Sequence, residues 1–445
     1  MTLDDRLENV AVIGAAGKMG SGITLLVAQE MAKLKIKNPD KDYHLYAMDI
    51  SEKALDGLLA YIRKMATKSA EKGCVMLREL YKDRSDLIEN YDIIDQFTLD
   101  VMDVIRPVTD VPSFKDAHMV FEAIVEDEKI KFKVLDKINN LCSKQTLYFT
   151  NTSSIPIHVL DDEVGLGGRI IGMHFYNPPA VQKLVEMIQS ENTQKEVADT
   201  ALELGQRMRK KMVPSNDIAG FIGNGHFMRD ILHAVSEVED LRDDLSQVEA
   251  IYALNKVSQD YLIRPMGIFQ LIDYVGVEVC QLIMKVMTQY ITDATLQSVL
   301  IDKMVEKKVI GGQNPDGSQK DGILKYEKGR PAGIYDLDKG SYRLFSDGDW
   351  KEKVDSFLGE LPEGWALWRA LLRDPKKDEK LPKIFTNLKN SDARGAELAK
   401  NYFKRSKEIG QELVKQGVAN KVDDVNQVMM NGFFHLYGPV NDYII

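Results

Sequence analysis

His174 and Glu186 stand twelve residues apart, each beside or within a short apolar run. Ile170-Ile171-Gly172-Met173 leads into the histidine, and Leu184-Val185-Glu186-Met187 holds the carboxylate. Both runs read as strands, which sets His174 at a strand end. A histidine oriented by a carboxylate moves a proton near neutral pH. A second polar group, Asn151-Thr152-Ser153-Ser154, follows directly on the apolar run Thr146-Leu147-Tyr148-Phe149-Thr150. In an open α/β sheet, ligands bind beyond the carboxyl ends of the strands, where this cluster falls. A lone histidine is more often a packing residue than a base, so the assignment depends on what lies beside it.

What lies beside it is a glycine turn. Gly14-Ala15-Ala16-Gly17-Lys18-Met19-Gly20 follows the strand Val10-Ala11-Val12-Ile13 and opens a helix over 18–35. Glycines at such a turn permit the tight bend, the approach of backbone N–H groups to a pyrophosphate, and close helix–strand packing. The helix N-terminus adds partial positive charge. Gly14, Gly17, Met19 and Gly20 are therefore candidate dinucleotide contacts. The spacing is GxxGxxG, one residue longer than the usual turn. Asp49 ends a second strand, Leu45-Tyr46-Ala47-Met48, where a carboxylate accepts bonds from ribose hydroxyls and repels a 2′-phosphate. NAD is expected over NADP. Oxidising an alcohol releases a proton and a hydride, and NAD takes only the hydride, so a proton-moving histidine complements it.

These residues need a parallel sheet to hold them. Residues 9–150 alternate β-branched runs with helical patterns, and Met119-Val120-Phe121-Glu122-Ala123 reads as a further strand. After Pro214 helical spacing dominates, as over 231–261 and 276–304. A turn-rich break follows at 311–317 and 329–331, and helical patterning resumes near Trp350. The last segment echoes the middle one. Leu245-Ser246-Gln247-Val248-Glu249-Ala250 leads to Pro265-Met266-Gly267-Ile268-Phe269, and Val422-Asp423-Asp424-Val425-Asn426-Gln427 leads to Leu436-Tyr437-Gly438-Pro439-Val440. The expected fold is an α/β Rossmann-type domain (1–213) followed by all-α C-terminal domains, a helical unit (214–325) and a degenerate second copy (326–445).

The 58 Lys and Arg against 68 Asp and Glu leave a net charge of −10, which disfavours nucleic acid as a partner. The three cysteines form no CxxC pair, so neither a disulfide framework nor a zinc site is expected, and a reducing compartment fits. His226 and His233 share a helix face without a third ligand and read as packing residues; no metal site is expected. No apolar run approaches the ~18 residues of a membrane span. The acidic start of the chain lacks a signal-peptide pattern, and the cytoplasm is the expected location.

Six ordered runs resemble the 3-hydroxyacyl-CoA dehydrogenases of fatty-acid β-oxidation. They are Phe121-Glu122-Ala123-Ile124-Val125-Glu126, Asn151-Thr152-Ser153-Ser154, His174-Phe175-Tyr176-Asn177-Pro178, Lys183-Leu184-Val185-Glu186, Gly220-Phe221-Ile222-Gly223-Asn224 and Pro265-Met266-Gly267-Ile268-Phe269. The resemblance implies His174 as the base for the 3-hydroxyl proton and Glu186 as its orienting carboxylate. It implies Ser153 and Asn224 as polar partners near the reacting oxygen, and Glu122 and Asn177 as contacts of the nicotinamide half of NAD. It also makes Lys68, in the stripe Lys64, Lys68 and Lys72, the candidate for CoA phosphate; such a stripe is otherwise a solvated face. The substrate implied is an (S)-3-hydroxyacyl-CoA, reversibly oxidised to a 3-ketoacyl-CoA. Family members with one helical copy commonly dimerise, and a second copy in this chain could occupy that surface, so a homodimer is not assured. Two departures bear on substrate choice: Gly225 replaces a common arginine, and Gly322-Ile323-Leu324-Lys325-Tyr326 replaces a GFY-like ending. The competing readings are a related dehydrogenase of free hydroxy or sugar acids and a non-catalytic NAD-binding protein.

Overall fold

The structure, a computed structural model, describes every residue except 292–295, 315, 316 and 445. It divides into two compact units, Met1–Asp217 and Ile218–Ile445. Parts of the expected helical stretch 276–304 and of the break 311–317 lie outside the described residues.

The first unit is built on an eight-stranded sheet: β1 (Asn9–Ile13), β2 (His44–Met48), β3 (Ile105–Val108), β4 (Met119–Glu122), β5 (Leu147–Thr150), β6 (Ile170–Phe175), β7 (Leu184–Gln189) and β8 (Lys211–Asn216). The helices before and between them are α1 (Leu3–Arg6), α2 (Lys18–Lys37), α3 (Glu52–Leu80), α4 (Asn90–Asp103), α5 (Glu128–Leu141), α6 (Ile157–Val164) and α7 (Lys195–Arg207). The spatial order is β3-β2-β1-β4-β5-β6-β7-β8. The chain runs outward from β1 and returns to β4 on its other side. That reversal opens a crevice at the carboxyl ends of β1 and β4, where such sheets bind ligands. β4 and β5 are buried along their whole length, as central strands covered on both faces must be. Only the β6–β7 pairing is antiparallel, and its register sets His174 opposite Glu186.

Two strands escape the sequence reading, and both carry proline. Pro107 in β3 and Pro214 in β8 are tolerated because these strands form the two edges of the sheet.

The second unit is chiefly helical: α8 (Phe221–Asp240), α9 (Gln247–Lys256), α10 (Ile268–Val275), α11 (Val277–Tyr290), α12 (Val299–Glu306), α13 (Trp350–Leu358), α14 (Trp368–Leu372), α15 (Lys377–Asn390), α16 (Arg394–Lys415) and α17 (Val422–Gly432). The predicted stretch 231–261 breaks after α8, and Ser246 with Glu249 forms a capping box that restarts the chain as α9. A three-stranded antiparallel sheet, β9 (Leu324–Glu327), β10 (Arg330–Asp336) and β11 (Ser341–Leu344), joins the helices. Its first strand starts within the segment that replaces the GFY-like ending. Buried Asp273 accepts the N–H groups of Ile323 and Leu324 at 2.7 and 2.8 Å and fixes that start.

The two echoed sequence segments share local geometry. Asn255 accepts from the Gln270 N–H (3.0 Å), and a Cβ on Gly267 would lie 2.3 Å from the Asn255 side chain. Asn426 accepts from the Val440 N–H (3.0 Å), and a Cβ on Gly438 would lie 2.1 Å from the Asn426 side chain. Gly225 faces Leu413 of α16, whose side chain would stand 3.0 Å from a Cβ, so a larger residue there requires that leucine to move.

Candidate active site

The glycine turn has the form its sequence requires. Gly14 takes φ +75°, and a Cβ there would stand 2.6 Å from the Ala123 carbonyl; a Cβ on Gly20 would stand 2.0 Å from the Gly14 carbonyl. Only glycine keeps the strand, turn and helix this close. Gly17 caps α2 without a side-chain bond, the first turn holds no acidic residue, and Met19 packs against the core. The cradle fits the pyrophosphate of a dinucleotide, offering backbone N–H groups and the helix dipole rather than side chains. Asp49 lies just past β2, where its Oδ2 accepts the Ala16 N–H at 3.1 Å and its Oδ1 the Ser51 N–H at 3.4 Å. The extra residue of the turn is thus tied to the carboxylate that would face the ribose.

Beyond β4 and β5 lies a network that sequence reasoning passed over. Lys131 of α5, 1% exposed, donates to Glu122 at 2.7 Å and lies 3.3 Å from Glu126. Glu122 is bonded inward at both oxygens, Oε1 by the Ile124 N–H and Lys131 and Oε2 by Thr150 (2.6 Å). Glu126 Oε1 gathers the loop after β5, accepting from the Thr152 hydroxyl (2.6 Å), the Ser153 and Ser154 N–H groups (2.8 and 3.0 Å) and both serine hydroxyls (3.3 and 2.9 Å). Burial pushes the Glu126 carboxyl up, but Lys131 and the loop donors outweigh it and hold it below the ordinary range. Burial likewise opposes the Lys131 charge, and the two carboxylates overcome it, raising the ammonium above its ordinary value. The signal was present: Lys131 falls on the buried stripe of α5 with Leu135, Ile138 and Asn139, where a lysine without partners would be excluded.

His174 Nδ1 meets Glu186 Oε1 at 3.1 Å across the β6–β7 pair, with side chains 9% and 0% exposed. Asn151 at the head of the serine loop accepts the Phe175 N–H at 2.8 Å, so the loop bearing Ser153 is fastened beside His174. Asn177 follows β6 and is partly exposed. Asn224 belongs to the second unit, partly exposed in the first turn of α8. Lys64, Lys68 and Lys72 are all exposed on α3. Lys72 also lines a cavity of about 340 Å³ with Lys33, Lys183, Arg207, Arg209 and Lys210. Lys68 does not line it.

His226 and His233 pack inside the second unit. Among the described residues no cluster of His, Cys, Asp or Glu has the grouping of a metal site, and no helix is long and apolar enough to cross a membrane.

Comparison with known proteins gives the arrangement a context. The pattern of the 3-hydroxyacyl-CoA dehydrogenase NAD binding domain matches residues 9–218, and that of the 3-hydroxyacyl-CoA dehydrogenase C-terminal domain matches 220–321. A probable 3-hydroxybutyryl-CoA dehydrogenase of Deinococcus radiodurans is 30% identical over 310 residues, 69% of this chain and 98% of that protein. The mitochondrial hydroxyacyl-coenzyme A dehydrogenase of Homo sapiens is 27% identical over 317 residues, 71% of this chain and 91% of the relative. The crystal structure of 3-hydroxybutyryl-CoA dehydrogenase from Escherichia coli K12 shares the fold, with a TM-score of 0.65 at 21% identity over 98% of this chain and 90% of that one.

Proposed function

Because the chain belongs to the 3-hydroxyacyl-CoA dehydrogenase family, we propose that it oxidises an (S)-3-hydroxyacyl-CoA to the 3-ketoacyl-CoA, reversibly, with His174 as the base. The 3.1 Å His174–Glu186 contact, beside the tethered serine loop, carries this reading. Glu186 accepts at Nδ1, which sets the tautomer and favours the imidazolium formed when Nε2 takes the 3-hydroxyl proton. NAD, when bound, supplies the acceptor for the hydride that leaves substrate C3. The Ser153 backbone bond to Glu126 holds the loop, while its longer hydroxyl bond, 3.3 Å, can be exchanged for the reacting oxygen. Asn224 and Asn177 keep the roles that the family pattern assigns them, and Lys68 would meet the CoA phosphates. The Glu122 carboxylate, buried and bonded to Lys131 and Thr150, is engaged inside the fold and is not available as a nicotinamide contact. The division of residues 214–445 into two copies of one helical unit is part of the same reading, supported by the matched Asn255–Gly267 and Asn426–Gly438 contacts. The cytoplasm stays the proposed location on sequence grounds.

The test is NADH consumption with acetoacetyl-CoA and with longer 3-ketoacyl-CoAs. A folded His174→Ala protein is expected to lose about 10²–10⁴ in kcat, the usual share of a positioned acid–base group. Undiminished turnover would remove His174 from the mechanism. Equal rates on free 3-keto acids would move the assignment to the free-acid dehydrogenases.

A further inference from the structure

Tyr176, two residues past His174, has no role in the chemistry described so far. Its hydroxyl donates to Glu186 Oε1 at 2.6 Å, the same oxygen that His174 Nδ1 approaches at 3.1 Å. The two rings lie 4.9 Å apart between centroids, tilted by 42°. Burial, with Glu186 adding to it, drives the phenol far above its ordinary range, so it stays a donor throughout the working range of an enzyme. Glu186 is wholly buried, so water does little to screen how its charge is divided.

We propose that Tyr176 is a positioning residue that shares the Glu186 carboxylate with His174 and thereby moderates the basicity of the imidazole. An oxygen that accepts a short bond from a phenol gives up part of its charge to it, and less remains to stabilise an imidazolium. A base held this way releases its proton more readily between turnovers than one facing an undivided carboxylate. Neighbouring elements add other groups. β8 presents the apolar Val213 opposite Glu186. The β5 loop presents Ser153, and the charges behind that loop, Glu126 and Lys131, are paired with each other and with Glu122. The inference rests on the reading of His174 as the base.

Tyr176→Phe removes the hydroxyl and keeps the ring. The pH at which His174 takes up its proton should then rise by about half to one unit, the scale of one ordinary net hydrogen bond. Imidazole titration followed by NMR, with His174→Gln used to identify the resonance, reads this without substrate. In 3-hydroxyacyl-CoA oxidation the acid limb of the kcat profile should move up by the same amount, slowing turnover about three- to tenfold below the inflection. The alkaline plateau should stay within about twofold. The shift should vanish in a Glu186→Gln background, because the effect passes through that carboxylate. An unmoved His174 midpoint in Tyr176→Phe overturns the proposal, as does a shift that persists without Glu186. A moved midpoint in a protein that turns over no acyl-CoA supports the sharing and overturns the dehydrogenase reading instead.

Discussion

Each unit of this molecule buries a charged cluster, and the two clusters serve different ends. In the first unit, Lys131 sits between Glu122 and Glu126 at the carboxyl ends of β4 and β5 and fastens the loop that carries Ser153. In the second, Arg264 pairs with Asp230 at 2.8 Å, Tyr402 donates to the same carboxylate at 3.0 Å, and Arg264 reaches Ser406 at 3.3 Å. His226 meets Ser406 at 3.2 Å. This second cluster joins α8 to α16 across 142 to 180 positions of sequence. Burial and perturbed ionisation are common to both. Position separates them: one lies at strand ends, where a ligand can reach its loop, and the other lies between packed helices.

The comparison breaks most sharply under single substitutions. Lys131→Met leaves two buried carboxylates uncompensated and Arg264→Met leaves one; each should cost about 3–5 kcal/mol in a denaturant titration. Their activities should part company. The fraction of Lys131→Met that stays folded should lose kcat as the serine loop loosens, while folded Arg264→Met should keep wild-type kcat. Equal kcat losses in both would erase the distinction.

Acid should find the second unit first. Burial lowers His226 to about 4 and drives His435 well below its ordinary 6.5, so both are neutral in the folded chain. The unfolded chain takes up these protons first as pH falls. Stability is therefore complete above pH 6.5 and drains away toward pH 4, by about 3 kcal/mol for His226 alone. Thermal melts across this window, compared with His226→Gln, measure it; an unchanged slope in the variant would show that the proton uptake lies elsewhere. The smallest effect belongs to the exposed Lys68. Lys68→Ala should raise KM for acetoacetyl-CoA about two- to fivefold and leave kcat alone, as suits a screened surface charge. No change in KM would return the stripe to the solvated face it resembles.

These contrasts show which features a sequence displays. The glycine turn, Asp49 and the His174–Glu186 pair were legible because strand periodicity and strand-end chemistry are local. The edge strands β3 and β8 were not, since proline masks them. Nor was the β9–β11 sheet, whose short strands are separated by Lys328-Gly329 and Asp338-Lys339-Gly340 and read as a break. The buried stripe of α5 marked Lys131 as needing partners, but which loop Glu126 gathers was hidden, because that loop lies 26 to 28 residues away and only the fold brings it near. Tyr176 stood inside a quoted motif, yet its share of Glu186 depends on β6–β7 register and not on its neighbours in sequence.

The bond from Ala16 to Asp49 has a consequence for anyone wishing to re-engineer this protein. Cofactor preference is usually altered by replacing the acid at the end of the second strand so that a 2′-phosphate is admitted. Here that acid is also the acceptor for the backbone of a turn one residue longer than usual. Exchanging it for a side chain that offers no acceptor oxygen, such as lysine or arginine, would unfasten the turn at the same moment that it opened the proposed ribose site. A redesign must therefore shorten the turn or supply a new acceptor for the Ala16 N–H before selectivity can be changed on its own.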